Sequence, residues 1–347
     1  MSVSILQSEI AEQPAAMERL IAAESASVRS LASALRQQRI THVQIVARGS
    51  SDNAARYAQY LFGTALGLPV ALATPSLHTR YAAKMRFEDT LSIGISQSGQ
   101  SPDICAVLED AARAGAPTVA ITNDPESPLA RAASHVIPLH VGKERSVAAT
   151  KSYTGQLLAL ALLILSMAED QAGLDALARI PEAMHATLTT GPRMDEVAEA
   201  LRDATAMVTI GRGYGFATAW EIAQKVKELT YIPTEPYSAA DFQHGPIAMI
   251  DAGFPVLLIA PQGAVASDLA SMASKLRDRG ALLATISDVP EILAAANLPV
   301  PLPVSVDERL SPLTSVIPGQ YLSYALARAR GIDPEKPRGL NKVTETR

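Results

Sequence analysis

Cysteine is nearly missing from this chain. Cys105 is the only one in 347 residues, which excludes a disulfide framework and any cysteine-based zinc site. It stands in the apolar pattern "DICAVLEDAA", where a free cysteine reads as a small buried hydrophobe rather than a nucleophile. Excess positive charge is missing too. The net charge of −5 and pI near 5.7 argue against non-specific nucleic-acid binding. The N-terminus lacks the basic segment and apolar core of a signal peptide. No apolar run is long enough to span a bilayer, and the longest, "LLALALLILSM" from Leu157 to Met167, reads as a buried helix. No clustered His or carboxylate set has ligand spacing, so no metal is expected. Neither a Walker pattern nor a Gly-x-Gly-x-x-Gly run is present, so a small phosphorylated metabolite is a better candidate ligand than a nucleotide. These absences describe a soluble, cytoplasmic protein with no cofactor and no nucleic-acid or membrane partner.

What is present is a sequence written twice. At 48% hydrophobic residues the chain can bury a full core, and its length suits two domains. Arg48-Gly49 and Arg212-Gly213 stand 164 residues apart, as do Gly99 and Gly263, Val136 and Val300, and Gly155-Gln156 and Gly319-Gln320. In the first half, short apolar runs predict strands at 43–47, 70–72, 91–96, 118–122 and 136–139, alternating with helical patterns such as 101–114. Buried strands alternating with helices imply a parallel sheet covered on both faces. The fold expected is α/β, with two similar domains of about five strands each. The expected partition is a leading helical segment over 1–36, a first domain over 37–170, a helical linker over 171–199, a second domain over 200–331 and a tail over 332–347. Breaks at Pro181 and Gly191-Pro192 mark the linker, and Pro334, Pro337 and Gly339 make the tail irregular.

The third strand of the first half runs into "SQSGQS", six small or polar residues followed by Pro102 and Asp103. In an open α/β sheet, ligands bind beyond the carboxyl ends of the strands. Ser101 followed by Pro102 fits an N-cap and a first helical position, so the loop opens onto a helix N-terminus with free N–H groups and a positive dipole end. Ser96, Ser98 and Ser101 add hydroxyls, and Gly99 lets backbone approach closely. One cap needs one hydroxyl, so the cluster points to a phosphate monoester held without metal. "RGSSDNA" after the first strand places Ser50 and Ser51 on the same edge. The matching second-half turn, "APQGAVASD", lacks the serine cluster, so the serines belong to a ligand rather than to the fold.

These residues resemble the sugar isomerase (SIS) domain family, and more narrowly the isomerase half of glucosamine-6-phosphate synthase and its stand-alone deaminase relatives. The resemblance runs through "EIAEQP", "RGSSDNA", "SQSGQSPD", "SVAATKSYTGQL", "GRGYGFATAWEIAQKVKELTYIPTEPYSAADFQHGPIAMI" and "KPRGLNKVTE". It implies two tandem SIS domains, each a flavodoxin-like five-stranded parallel sheet sandwiched by helices. It implies a phosphosugar held by Ser96, Gln97, Ser98 and Ser101 with Ser50 and Ser51 nearby, and a segment closing over the sugar through backbone groups of Val147 and Ala148. Glu228 matches the glutamate that moves a proton between C1 and C2, and Lys225 shares its helical face. His244 matches the histidine that opens the ring, contributed in the family across a homodimer interface. Lys342 matches the lysine that forms an imine with the open ketose. Three positions depart from the family pattern: Arg48 before the first Gly-Ser turn, Ala149 in place of a serine, and Tyr214-Gly215 in the second-half turn. His42, His78, His135, His140 and His185 have no ligand-like spacing.

The residue types suit aldose–ketose chemistry. A carboxylate beside the sugar can carry the proton, a histidine can open the ring near neutral pH, and a lysine can form the imine. Ser2 follows the initiator Met where the synthase family has a catalytic cysteine, so the expectation is an isomerase without a glutaminase domain. That favours deamination of an amino-sugar phosphate, foremost glucosamine 6-phosphate to fructose 6-phosphate and ammonia. A galactosamine-6-phosphate deaminase or a fructosamine-6-phosphate deglycase is the near alternative. A non-catalytic sugar-phosphate sensor is the alternative from another class, although it would need neither Glu228, His244 nor Lys342.

Overall fold

The structure, a computed structural model, describes residues 4–342. Its ten described strands form two five-stranded parallel sheets: β1 (His42–Val46), β2 (Val70–Leu72), β3 (Thr90–Ile95), β4 (Thr118–Thr122) and β5 (His135–Pro138), then β6 (Met207–Gly211), β7 (Thr234–Ser238), β8 (Pro255–Ile259), β9 (Leu282–Ser287) and β10 (Leu298–Pro301). The first sheet has the order β2-β1-β3-β4-β5 and the second β7-β6-β8-β9-β10. Both therefore have the 2-1-3-4-5 order of a flavodoxin-like sheet. The repeat legible in the sequence is a repeat of topology. Expected and observed strands agree within a residue; β2 and β4 have the expected bounds and β1, β3 and β5 begin one residue earlier.

The chain divides into two compact units that interleave along the sequence. One comprises residues 15–144, 151–179 and 341–342, and the other 4–14, 145–150 and 180–340. The leading helical segment contributes to both units, and so does the tail.

In the first unit β3 and β4 are buried along their whole length, as a sheet covered on both faces requires. The helix Lys151–Met167, which contains the longest apolar run, is buried at all 17 positions. Among the described residues no helix is long and apolar enough to cross a membrane. Val46, Ile104, Cys105, Val107, Leu108, Ala120 and Leu129 form one core cluster behind the serine loop. Full burial of each Leu, Ile or Val there contributes about 1.5–3 kcal/mol. Burial, reinforced by the Glu109 and Asp103 charges, pushes the Cys105 thiol up to about 11. It is a packing residue, as its apolar setting indicated. The second unit is built alike around Val208, Ile210, Phe242, Val256, Leu258, Leu269 and Leu276.

Strand order positions the loops. Connections leave β1 toward β2 on one side and β3 toward β4 on the other, and β1 and β3 are neighbours in register, Val46 opposite Gly94. The turn after β1 and the serine loop after β3 thus emerge side by side at the switch point of the sheet, where open α/β folds bind ligands.

Candidate functional site

The serine loop runs from Ser96 to Ser101 and enters the helix Pro102–Arg113. Ser101 is its N-cap and Pro102 its first residue, as expected, but the Ser101 side chain makes no capping hydrogen bond. Ser96 and Ser98 differ from the reading that assigned them wholly to a ligand. Ser96 Oγ accepts from Gly99 N–H at 3.1 Å, and Ser98 Oγ accepts from Gln100 N–H at 3.3 Å. These bonds use the hydroxyl oxygens to hold the loop and leave the hydroxyl protons to donate outward. Gly99 is required twice over: its φ is +62°, and a Cβ there would stand 2.1 Å from Ser127 Oγ.

The neighbouring turn uses Gly49, at φ +56°, to enter the helix Ser50–Leu66. Ser51 is buried there and its Oγ accepts from Gln156 Nε2 at 3.0 Å. Ser50 is half-buried at the first position of the helix.

Gln97 and Ser98 line an open crevice of about 1250 Å³, together with Asn123, His140, Glu144 and Lys342. Lys342 Nζ lies 2.5 Å from Glu144 Oε2. Glu144 was not anticipated from the sequence. Its carboxylate also accepts from Ser152 N–H at 3.0 Å and from Ser152 Oγ at 2.6 Å. Burial alone would push this carboxyl up, but the Lys342 charge and the hydrogen bonds outweigh it and hold the group below its ordinary value of 4.5. The first unit thus brings a hydroxyl-rich loop and a lysine paired with a buried carboxylate to one crevice.

In the second unit the helix Gly215–Thr230 carries the remaining side chains. Glu221, Lys225 and Glu228 fall four and three residues apart, on one face. Lys225 Nζ lies 2.5 Å from Glu228 Oε2 and 3.8 Å from Glu221 Oε1. Gln224 Nε2 donates to Glu228 Oε1 at 2.7 Å. Both oxygens of Glu228 are therefore oriented. Lys225 and Glu221 are buried and Glu228 is partly open. Glu221 was also missed, although its spacing from Lys225 and Glu228 was visible. His244 follows the helix Ala239–Gln243 as its C-cap, exposed, and its ring has no partner among the described residues. Val147 and Ala148 belong to a segment fastened by Glu9, whose carboxylate accepts from the N–H groups of Arg145 at 2.6 Å and Ser146 at 3.0 Å.

The second-half counterpart of the serine loop is filled from within. Gln262 N–H donates to Asp288 Oδ1 at 2.7 Å, and Ala264 N–H to Glu308 Oε2 at 2.8 Å. A Cβ on Gly263 would stand 2.1 Å from Glu308 Cδ. The protein's own carboxylates occupy the loop amides.

The duplicated flavodoxin-like sheet with a hydroxyl-rich loop at its switch point has counterparts among known proteins. The SIS domain family matches residues 34–166 and 200–329. The chain belongs to that family. It is 37% identical over 305 residues to the glutamine–fructose-6-phosphate aminotransferase (isomerizing) of Methanothermobacter thermautotrophicus, covering 87% of this chain and 51% of that protein. It is 36% identical over 344 residues to the enzyme of the same name from Thermococcus kodakarensis, covering 96% of this chain and 56% of that protein. The chain spans about half the length of these curated relatives. Among solved structures, a candidate phosphosugar isomerase from Silicibacter pomeroyi superposes with a TM-score of 0.85 at 37% identity, covering 96% of this chain and all of that one. The glucosamine-6-phosphate deaminase of Thermotoga maritima, at 22% identity and a TM-score of 0.81, shares the fold.

Proposed function

We propose that this protein is a phosphosugar aldose–ketose isomerase that deaminates an amino-sugar phosphate, foremost glucosamine 6-phosphate, giving fructose 6-phosphate and ammonia. The observation that carries the reading is the crevice of the first unit, in which the Gln97–Ser98 loop and the Lys342–Glu144 pair line one space. The loop amides and hydroxyls suit a phosphate monoester. The Glu144 carboxylate in contact with Lys342 holds it in the crevice as an ammonium, and in this reading the proton leaves as substrate displaces the pair. A sensor needs binding groups but no lysine held in the crevice by a buried carboxylate, so the pair favours an enzyme.

In this reading His244 opens the sugar ring and Glu228 carries the proton between C2 and C1. Lys225, held between two carboxylates, fixes the orientation of Glu228. Lys342 attacks C2 of the resulting ketimine and displaces ammonia, forming the imine of the open ketose, which water then hydrolyses to fructose 6-phosphate and the free lysine. The relatives' names support the substrate class: they act on fructose 6-phosphate or are described as phosphosugar isomerases. We further propose that the protein works as a homodimer in which His244 serves the neighbouring subunit's sugar, in keeping with its exposure.

The test is ammonia release from glucosamine 6-phosphate, galactosamine 6-phosphate and a fructosamine 6-phosphate conjugate. Turnover of one, lost in Glu228→Gln and Lys342→Ala, is the expected result. Tight binding of all three with no turnover would replace the enzyme by a sensor.

A further inference from the structure

Arg48 is the residue that departs from the family pattern before the first Gly-Ser turn, and its side chain has a defined task. Its Nε and Nη2 both donate to Asp103 Oδ2, at 2.9 and 2.8 Å. Asp103 is only 2% exposed, and its other oxygen accepts from Ile104 N–H at 2.9 Å. The two ends of this bond have particular places. Arg48 is the last residue before Gly49, where the chain turns off β1 into Ser50 and Ser51. Asp103 is the second residue of the helix that the serine loop enters. The bond therefore joins the roots of the two hydroxyl-bearing loops, across 55 residues of sequence. Arg48 is absent from the lining of the crevice that holds Gln97, Ser98 and Lys342. Its exposed half faces a separate cavity of about 430 Å³ with Asp52, Arg56, Thr74 and Ser76.

We propose that Arg48 is a positioning residue, which sets the distance between the Ser50–Ser51 turn and the Ser96–Ser101 loop before the phosphosugar arrives. The proposal rests on the phosphate-binding reading of these loops. Two loops on adjacent strands can each be well formed and still be misplaced by an ångström relative to one another. A buried carboxylate oxygen that receives two charge-assisted N–H bonds from one guanidinium, while its other oxygen is held by a backbone N–H, is a strong tie between the two roots. Pre-setting the loops removes an ordering cost from binding and leaves the chemical step alone. Loss of the tie then raises KM and spares kcat.

The test has a ligand-free arm and a ligand arm. In hydrogen exchange on the free protein, Arg48→Gln should speed exchange several-fold at the amides of Gly49–Ser51 and Gly99–Ser101, while those of β4 stay protected. In calorimetry with fructose 6-phosphate, the dissociation constant should rise about tenfold, and the KM for the turned-over amino sugar should rise with it at nearly constant kcat. Arg48→Lys should recover part of the loss. Asp103→Asn should match Arg48→Gln, and the double variant should be no worse than either, because both remove one bond. Unchanged exchange in both loops, or additive effects in the double variant, would overturn the proposal. Absence of turnover by wild type would sink the enzyme reading and leave both exchange and binding arms decisive for Arg48.

Discussion

Glu144 and Lys342 meet at 2.5 Å although 198 residues separate them, and the carboxylate is completely shielded while the ammonium is partly open. A buried anion of this kind is retained in the native state only with a partner. Here the partner is the proposed nucleophile. The same contact that stabilises the carboxylate therefore holds the lysine in the crevice.

Glu144→Gln should lower turnover at least a hundredfold with little change in fructose 6-phosphate affinity, and should abolish trapping of the sugar on Lys342 by borohydride. It should also lower stability by about 2 kcal/mol at neutral pH, less than for a wholly buried pair because Lys342 reaches solvent. The sign of the pH dependence follows from the depressed carboxyl. Its stabilisation is complete above its ordinary value of 4.5 and is lost as pH falls through the lower folded value. Denaturant melts from pH 7 to pH 2 should show the gap between wild type and variant closing only below pH 4.5. A constant gap would show that the charge is not what matters.

Gly99→Ala tests the serine loop without touching a hydroxyl. The new methyl group must fit a φ of +62° and a site already occupied by Ser127. A cost of about 2 kcal/mol or more in stability is expected from strain and overpacking together. Fructose 6-phosphate binding should fall further than stability does. Gly67→Ala is the control: it shares the positive φ but has open space around it, so it should lose stability and keep binding.

Cys105 should be inert. Its thiol stands at about 11 and is buried behind the loop, so less than a hundredth is thiolate at pH 8. Prolonged treatment of the native protein with iodoacetamide at that pH should leave Cys105 unmodified by mass spectrometry and activity intact. Rapid alkylation with loss of activity would contradict the packing role.

The sequence and the structure agree most closely where local pattern carries the information. Short β-branched runs between helices were enough for the strands, and the offset between Gly99 and Gly263 was enough for the duplication. The Ser101-Pro102 pair marked a helix start that the structure shows. What was not legible needs distant pairing. Glu144 lies in "KERS" with no periodic neighbour, and nothing local joins it to a lysine 198 residues on. Arg48 looked like a mere departure because Asp103 stands in the helix that follows another strand. The interleaving of the two units was not legible because the 145–150 segment is short and is fastened by Glu9, far upstream. The serine loop was read in kind but not in detail: sequence counted its hydroxyls, and only geometry showed two of them accepting from the loop's own amides.

The filled loop of the second unit offers a converse test of the phosphate site proposed for the first loop. Gln262 and Ala264 donate to Asp288 and Glu308, so their N–H groups are as well satisfied as a bound anion would leave them. Removing both carboxylate charges, by Asp288→Asn with Glu308→Gln, should lower stability by about 1–2 kcal/mol in all, since each charged hydrogen bond is replaced by a weaker neutral one. Removing the side chains, by Asp288→Ala with Glu308→Ala, should cost more and open the loop to an external anion. Inorganic phosphate should then raise the melting temperature of the double alanine variant in a concentration-dependent way beyond its effect on wild type. Equal phosphate responses in the two proteins would show that bare amides at this position do not suffice, and that the hydroxyls of Ser96, Ser98 and Ser101 are what the first loop adds.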